Sequence, residues 1–568
     1  MLETAPGIAI TEARLLAWRD AIVWARAELG WADSTIAVRR HGTGVALAFA
    51  APIDQLYAAT EVNEWAWHRA CEPPVPGSPA ASATWDADPN RVSIRAMALG
   101  ERRPAALALM TAASQQQCPA YFDDEMFSLG EGESSQTWPL SALPSPNDIE
   151  WDDLHPIPKA LVTGSNGKTT TVRLLAAICR AHGHGWHSGH ACTDGLFVDG
   201  VCVEPGDFAG PMGARAMLRR ADVKVAILET ARGGLLRRGL AVQRADVAVV
   251  TNISADHFGE YGIANLDDLA DAKLVLARVI DERGLLVLNA EDAVLRRKAA
   301  DLSCPVGWFA LDNDHPMLVV HRARGGTTCG VREGQLTLSH GSMERSLGPV
   351  ADMPLSVSSK ATYNTSNIAA AALAAAAMGI HPKTIAAVLT KFGATNADNP
   401  GRLQRWFLPG LQVYMDYAHN PDGLRGFLKL ASAGRDRGRM ALILGQAGNR
   451  SDDDIRALAA VAAEFWPELV ILKDIGGYMR GRHAGEVPSL LRDELLRRGV
   501  SGAAIVECRS ELDAAYMALQ WARAGDVLAL PVHALEARAE VSALLDGLRA
   551  ERWHPGQPLP LLPGMKML

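Results

Sequence analysis

The sequence predicts an α/β protein in three parts: an N-terminal α+β domain over residues 1–150, a central parallel-sheet domain over 156–398 and a C-terminal Rossmann-like domain over 399–568. From Lys159 onward, short continuous apolar runs alternate with helical segments, which is typical of strands buried on both faces of a parallel sheet. A Pro/Asp-rich stretch over residues 140–158 predicts the linker before that alternation begins. A chain of 568 residues is long enough for about three or four domains.

The composition narrows the class of protein. Apolar residues make up 48% and charged residues 21%, which excludes a disordered chain, a coiled coil and a collagen-like repeat. A net charge of −8 gives no overall nucleic-acid signature. The eight cysteines form no C-x-x-C pair, so neither a zinc site nor a disulfide framework is indicated. With no secretory leader pattern and no apolar run of about 20 residues, we expect a cytoplasmic protein without nucleic-acid or membrane partners.

The pattern of the N-terminal part predicts one amphipathic helix followed by a hairpin. Residues 11–29 place apolar side chains on one helical face, and residues 35–50 alternate around a turn at 41–44. A Pro/Ala/Ser-rich loop is expected over 72–89.

The central and C-terminal parts each contain a series of strand-like runs. The central runs cover residues 160–162, 223–229, 247–252 and 285–289. They are followed by a predicted β excursion over 316–350 and an alanine-rich helix over 364–378. The C-terminal runs cover residues 411–417, 440–445, 469–474 and 526–531. Helical patterns separate these last runs and predict a doubly wound sheet.

The sharpest motif is T-G-S-N-G-K-T-T at residues 163–170, placed between an apolar strand and an apolar helix. Glycines in such a loop let backbone N–H groups wrap a phosphate chain, and the helix N-terminus adds the positive end of its dipole. Lys168 would reach the β- and γ-phosphates and Thr169 would offer a hydroxyl to Mg²⁺. The loop therefore predicts an ATP site made of Gly164, Asn166, Gly167, Lys168, Thr169 and Thr170.

Three further residues follow strands of the same domain. Glu229 ends a buried run, where ligands of such sheets collect, and its carboxylate could hold Mg²⁺. His257 follows another strand end and could ligate a second cation or orient a phosphate; a structural role is the alternative. Lys273 lies in the next helix, where spacing alone suggests a surface lysine whose stem covers apolar surface.

Six motifs follow one another along the chain: T-G-S-N-G-K-T-T, E-T-A-R-G-G-L-L-R-R-G-L (229–240), T-N-I-S-A-D-H-F-G (251–259), N-T-S-N-I-A-A-A (364–371), N-P-G-R-L (399–403) and D-Y-A-H-N-P (416–421). In this order they resemble the ATP-dependent Mur ligase superfamily from about residue 156 to the C-terminus. The A-R-G-G segment, G-H-A-C-T-D-G-L-F-V-D-G (189–200), E-P-G-D-F-A-G-P (204–211) and M-R-G-R (479–482) are similar to the Mur-like half of cyanophycin synthetases.

That resemblance implies an amide ligase with a defined set of site residues. Mur-type ligases phosphorylate a carboxylate with ATP, and an amine then displaces phosphate from the acyl phosphate. By resemblance, Thr169 and Glu229 hold a first Mg²⁺ and His257 a second, and Lys273 matches a position that many relatives carbamylate. The remaining matched positions contact the nucleotide: Asn364 and Asn367 near the base, Arg402 at the phosphates, Asp416 at the ribose and His419 in the adjoining loop.

The resemblance leaves the substrates and partners open. Cyanophycin synthetases also carry an ATP-grasp domain, and residues 1–150 contain no second glycine-rich nucleotide loop. The expected substrates are an amino acid or other amine and a carboxylate-bearing peptide or polymer. Two other classes remain: a non-catalytic nucleotide-binding partner of a separate ATP-grasp enzyme, and a P-loop ATPase or phosphotransferase. The sequence does not indicate the oligomeric state.

Overall fold

The computed structural model describes residues 1–4, 8–41, 44–71, 89–183, 185–255, 258–435 and 438–560. Its first 139 residues contain two small antiparallel sheets, ordered β1-β3-β2 and β4-β5-β6, each with its own apolar core and helices. The elements of this part are β1 (Leu2–Glu3), α1 (Glu12–Leu29), β2 (Ile36–His41), β3 (Gly44–Phe49), α2 (Leu56–Cys71), α3 (Pro89–Glu101), α4 (Pro104–Gln115), β4 (Ala120–Phe122), β5 (Met126–Leu129) and β6 (Gln136–Pro139).

The predicted N-terminal helix and hairpin are confirmed as α1 and as β2 with β3. Residues 42–43 of the predicted turn and residues 72–88 of the predicted loop lie outside the described residues. The second small sheet packs on the central part of the chain through a buried ion pair, in which Lys159 Nζ lies 2.7 Å from Glu131 Oε2. The division into domains at 150 and 398 stays a prediction.

The central part is built on an eleven-stranded sheet in the order β10-β9-β8-β11-β7-β12-β13-β14-β15-β16-β17. Its seven middle strands, from β8 to β15, run parallel, and an antiparallel hairpin extends each side. The strands are β7 (Lys159–Thr163), β8 (Ser188–Cys192), β9 (Gly195–Val198), β10 (Val201–Pro205), β11 (Val225–Glu229), β12 (Val247–Val250), β13 (Leu285–Asn289), β14 (Val306–Phe309), β15 (Thr327–Arg332), β16 (Gln335–His340) and β17 (Met343–Pro349).

Eight helices connect and cover these strands among the described residues: α5 (Lys168–Ala181), α6 (Pro211–Leu218), α7 (Arg232–Arg238), α8 (Leu266–Leu274), α9 (Ala293–Lys298), α10 (Pro316–Ala323), α11 (Thr362–Ala377) and α12 (Pro382–Leu389). The predicted alanine-rich helix is α11, and residues 369–375 are almost fully buried against α5 and the sheet. Small side chains allow this close approach of two helices and a sheet in one well-packed core.

One part of the predicted β excursion is wrong. Residues 316–323 form helix α10 instead of a strand, and only the residues from Thr327 onward form the hairpin strands. The reason is local: Pro316 occupies the first helical position and the His315 ring accepts a hydrogen bond from the Met317 amide at 3.2 Å. Both features favour a helix start over a strand.

The C-terminal part is a six-stranded sheet in the order β18-β19-β23-β20-β21-β22, parallel except for the edge strand β18. Its helices belong to the two apolar cores on opposite faces, which confirms the predicted doubly wound architecture. The elements are β18 (Gln404–Leu408), β19 (Leu411–Asp416), α13 (Pro421–Ala433), β20 (Met440–Leu444), α14 (Asp452–Ala463), β21 (Leu469–Lys473), α15 (Glu486–Arg497), β22 (Ile505–Cys508), α16 (Glu511–Trp521), β23 (Val527–Pro531) and α17 (Leu535–Ala550).

The two large sheets turn their strand ends toward each other. The carboxyl ends of β7 and β11 face the loop that follows β19, since Asn166 after β7 accepts a hydrogen bond from Asn420 at 2.8 Å. Ligands of open α/β sheets bind at the carboxyl ends of their strands, so this junction is where a site is expected. Every helix of the described residues is too short or too polar to cross a membrane.

Candidate active site

The predicted phosphate loop lies between β7 and α5 and depends on its glycines. Gly164 has φ +144° and Gly167 has φ +83°, a region that residues with a side chain rarely adopt. A Cβ on Gly167 would lie 2.1 Å from Asn367 Oδ1, so the loop also needs glycine for space. No described side chain caps the N-terminus of α5, which leaves its first amide groups available to an anion.

Lys168 is folded back over this loop. Its Nζ donates to the carbonyl oxygens of Gly164 at 3.0 Å and Ser165 at 3.1 Å. The ammonium group therefore lies directly above the backbone that would wrap a phosphate chain. It also lines both cavities described below.

Glu229 and Thr169, the two predicted ligands of a first Mg²⁺, are in contact. The Glu229 carboxylate is 1% exposed and accepts hydrogen bonds from the Thr169 hydroxyl at 2.9 Å and the Thr193 hydroxyl at 2.9 Å. Carboxylate and hydroxyl oxygens are the donors that Mg²⁺ prefers, so the set fits this ion. Within the described ranges, no group of three His, Cys, Asp or Glu side chains could hold a metal. His257, the predicted ligand of a second ion, lies outside the described residues.

Lys273 does not lie at the surface, as its spacing alone suggested. It is 3% exposed, and its Nζ donates to the Gly164 carbonyl oxygen at 2.9 Å. The Lys273 and Lys168 side chains thus both donate to the same backbone oxygen of the phosphate loop.

The two predicted asparagines of α11 form the opposite wall of the loop. Asn367 donates to Asn364 Oδ1 at 3.2 Å, and Asn364 donates to the Leu355 carbonyl oxygen at 3.1 Å. Both are buried, and Asn367 lies directly against Gly167.

The C-terminal sheet brings Arg402, Asp416 and His419 to the same place. Arg402 Nη2 donates to the Thr169 hydroxyl at 3.3 Å, and its guanidinium stacks 4.3 Å above the Tyr417 ring. Asp416 accepts from the Leu403 amide at 2.7 Å, and burial raises the pKa of its carboxyl group. His419 Nδ1 donates to the Tyr417 carbonyl oxygen at 3.2 Å. Apart from Gly164, all described members of the predicted nucleotide set therefore line one cavity.

Asp194 is a central residue of the site to which the sequence assigned no role. Its carboxylate, in the turn between β8 and β9, is surrounded by three guanidinium groups from three different parts of the chain. The distances are 2.7 Å to Arg173 on α5, 3.6 Å to Arg402 after the central part and 2.6 Å to Arg538 on α17. Burial alone would raise the pKa of this carboxyl, but the three cations hold it far below its usual range.

The motifs of the sequence include the segment that contains Asp194, but they assign no role to the aspartate. It lies in the T-D-G-L segment that marked the resemblance, but an aspartate before a glycine also reads as an ordinary turn. Asp452, at the start of α14, pairs with Arg482 at 2.7 Å and lines neither cavity described here.

Two cavities meet at this junction. The smaller, of about 530 Å³, is lined by the phosphate loop, Glu229, Asn364, Asn367, Arg402 and Asp416. The larger, of about 830 Å³, is lined by α7, Glu260, Tyr478 and Arg480. Both share a boundary formed by Lys168, Asp207, Ala209, Ala231, Tyr417 and His419. A group in one cavity can therefore reach a group in the other beside the Lys168 ammonium.

The larger cavity is predominantly basic. Its cationic side chains outnumber its carboxylates by seven to three: Arg232, Arg237, Arg238, Arg450, Arg480, Lys168 and Lys273 against Glu3, Asp207 and Glu260. Such an excess of positive charge raises the local concentration of anionic ligands.

Comparisons with known proteins agree with this geometry. The Mur ligase middle domain matches residues 162–375, and the glutamate ligase domain of the Mur ligases matches residues 401–530. A cyanophycin synthetase of Synechocystis sp. is 35% identical over 350 residues, 61% of this chain and 39% of that protein. The chain thus spans about two fifths of the length of such relatives.

A second group of relatives is covered more fully. The UDP-N-acetylmuramoyl-L-alanyl-D-glutamate–2,6-diaminopimelate ligase of Xanthomonas campestris is 29% identical over 67% of this chain and 73% of its own length. Among solved structures, Escherichia coli FolC in complex with DHPP and ADP has a TM-score of 0.51, at 20% identity over 69% of this chain and 89% of that chain, which supports the fold.

We expect Asp194→Asn to weaken the docking of the C-terminal sheet on the central sheet. The variant leaves three guanidinium groups close together without their carboxylate, and breaking a buried pair typically costs about 3–5 kcal/mol. Thermal unfolding should occur at a clearly lower temperature than in the unchanged chain.

The matched control is Asp281→Asn, which removes the carboxylate from the half-exposed Arg244–Asp281 pair. Exposed pairs contribute about 0–1 kcal/mol, so this control should unfold almost as the unchanged chain does. Equal effects of the two variants would contradict the role given to Asp194.

Proposed function

Because the chain carries the middle and glutamate ligase domains of the Mur ligases, we propose that it is an ATP-dependent amide ligase. It activates a carboxylate as an acyl phosphate and joins it to an amino acid or other amine, releasing ADP and phosphate. The observation that supports this most is the meeting of two cavities at Lys168. Homology to cyanophycin synthetases and to a diaminopimelate ligase supports the same reaction class.

In this proposal the smaller cavity takes ATP. The phosphate loop and Lys168 bind the phosphates, Asn364 and Asn367 lie near the base, and Asp416 binds the ribose. The hydroxyl of Thr169, the carboxylate of Glu229 and the ring of His257 would hold Mg²⁺, in two sites. The ions would supply neutralisation of the phosphate charge during transfer.

The two chemical steps place defined demands on these residues. A carboxylate oxygen of the acceptor attacks the γ-phosphorus, the bond to the β-phosphate oxygen breaks, and ADP leaves. The amine, after loss of a proton, attacks the acyl carbon and phosphate leaves. Because the first step brings two anions together and the second develops negative charge on the acyl oxygen, the cations of Lys168 and Arg402 stabilise the charge that develops there. The Asp194 contacts keep the two sheets closed, which protects the acyl phosphate from water.

Lys273 takes a supporting role. Its contact with the Gly164 carbonyl oxygen holds the phosphate loop from below. We include in the proposal that Lys273 is carbamylated, which would turn its ammonium into an anion able to support Mg²⁺.

The larger cavity takes the acceptor, and its charge favours an acid. Even without Lys273, which carbamylation would make anionic, the cavity has six cationic side chains, so it suits an aspartyl or glutamyl peptide, or a polymer with several carboxylates. This is cyanophycin-like chemistry or a related peptide synthesis. The acids Glu3, Asp207 and Glu260 are the groups able to attract the ammonium group of the incoming amine. A separate ATP-grasp enzyme as partner stays a prediction, as does a cytoplasmic location.

The direct test is phosphate release from ATP and Mg²⁺ across the twenty amino acids, with and without aspartyl or glutamyl peptides. We expect release that requires one amine and one acid together, with a new amide mass. Lys168→Ala is the control, since loss of the loop cation should abolish the product. Release without any amine would favour the ATPase class, and binding of ATP without release would favour the accessory-partner class.

The acceptor class is tested by Arg237→Gln with Arg238→Gln, which removes two exposed cations at the end of α7. Loss of hydrogen bonds to a charged ligand should raise the KM for the acidic acceptor about tenfold, with little change in the KM for ATP.

The matched control is Arg102→Gln with Arg103→Gln, an equally exposed neighbouring pair that lines neither of these cavities. An unchanged acceptor KM in the first variant, or the same change in both, would contradict an acidic acceptor in this cavity.

A further inference from the structure

A buried group of three ionisable residues lies in the C-terminal sheet, beside the boundary of the two cavities. Lys473 ends β21, Glu511 begins α16 and His533 follows β23. The Lys473 side chain is 0% exposed, that of Glu511 2% and that of His533 5%. The chemistry proposed above uses none of the three, although His533 lines the larger cavity.

Glu511 ties two elements together through its carboxylate. One oxygen accepts from Lys473 Nζ and from the His533 amide at 2.8 Å, and the other accepts from the Ala534 amide at 2.8 Å. Despite its burial, these partners hold the pKa of the Glu511 carboxyl well below its usual range. The loop after β23 is therefore fixed to a buried anion that is itself neutralised by Lys473.

The neutral His533 ring connects the buried ion pair to the loop after β19. Its Nε2 lies 3.2 Å from the Ala418 carbonyl oxygen, which can only accept, so Nε2 carries the proton. Nδ1 is then the acceptor that faces Lys473 Nζ at 3.2 Å. Burial and the Lys473 cation lower the pKa of His533 to about 4, while Glu511 opposes this and the nearby His419 adds slightly to it.

Residues 416–418 receive three contacts from this group and its neighbours, of which the His533–Ala418 hydrogen bond is the first. The Val532 amide donates to the Asp416 carbonyl oxygen at 3.0 Å, and the His533 ring packs edge-on against Tyr417 at 5.3 Å between centroids. The Tyr417 ring also contacts the Arg402 guanidinium, 4.3 Å away, and His419 and Arg538, each at 5.3 Å. A chain of contacts thus runs from the buried ion pair to the arginine beside Thr169.

Stability alone is a weak reason for such an ion pair. Removing two charges from water costs several kcal/mol per ion, and well-packed apolar side chains often stabilise such a position equally well. Apolar side chains cannot form the directional hydrogen bonds that connect the ends of these three strands.

We propose that Lys473, Glu511 and His533 form a positioning relay that fixes the 416–420 loop, and through Tyr417 sets the place of Arg402 at the nucleotide. The three act through the loop and are positioning residues, not catalytic ones. The effect on turnover rests on the proposed ligase function, whereas the effect on the loop backbone does not.

The first test is the pH dependence of turnover in Lys473→Met. Without Lys473, the Glu511 carboxylate keeps the His533 and Ala534 amides and the neutral His533 ring, with Tyr417 and His419 beyond it, but it loses its cation. Binding a proton then restores the charge balance. We expect the activity of this variant, relative to the unchanged chain, to fall about tenfold between about pH 6 and about pH 8.

The double variant Lys473→Met with Glu511→Gln removes both charges, and it also serves if the single variant does not fold. Its activity relative to the unchanged chain should be nearly independent of pH. A residue needed only for folding would not produce this pattern. A Lys473→Met profile parallel to that of the unchanged chain would overturn the proposal.

The second test needs no turnover. Hydrogen–deuterium exchange of the amides over 416–420 should become about tenfold faster in Glu511→Gln. The control is Glu131→Gln, which removes the same charge from the equally buried Lys159–Glu131 pair and should leave that loop unchanged.

Equal exchange of the loop in these two variants would overturn the relay. If no amine and acid support turnover in the unchanged chain, the proposed ligase function fails, and the exchange experiment still decides on the relay.

Discussion

The arrangement of the whole site depends on one buried carboxylate surrounded by three guanidinium groups. Asp194 holds Arg173 from the helix of the phosphate loop, Arg402 from the start of the C-terminal part and Arg538 from its last helix. A single anion cannot neutralise three cations, so positive charge remains beside the phosphate loop. An anionic nucleotide would balance that charge, which couples the proposed binding of ATP to the closure of the two sheets.

The second organising feature is the boundary at Lys168. Because the two cavities share Lys168, Tyr417 and His419, the proposed phosphate in one would lie next to the proposed acid in the other. The residues around this boundary come from both large parts of the chain. Lys273 supports the loop from the central side, and Glu511 supports the Tyr417 loop from the C-terminal side. The proposed reaction needs both supports, since a misplaced phosphate costs far more rate than affinity.

The sequence predicted those features that are determined by residues close to one another in the chain. The predicted strands and phosphate loop follow from consecutive apolar runs and from a glycine pattern, and they were found where expected, as was α11, whereas strands such as β8 and β14 were not predicted. Helix α10 was missed because its start signal, His315 before Pro316, is local but weaker than the alternation around it. Contacts between distant residues had no signal: Asp194 meets Arg538 across 344 positions, and Lys473 meets His533 across 60. The burial of Lys273 was hidden for the same reason, while the expectation for His257 stays a prediction.

The central claim is that the chain forms an acyl phosphate, and the transfer of heavy oxygen tests it most directly. The acceptor acid is prepared with ¹⁸O in its carboxylate, and the phosphate released with ATP and amine is analysed by mass. An acyl phosphate leaves one carboxylate oxygen on the phosphate, so the account predicts phosphate carrying a single ¹⁸O atom. Unlabelled phosphate formed together with the amide would contradict it.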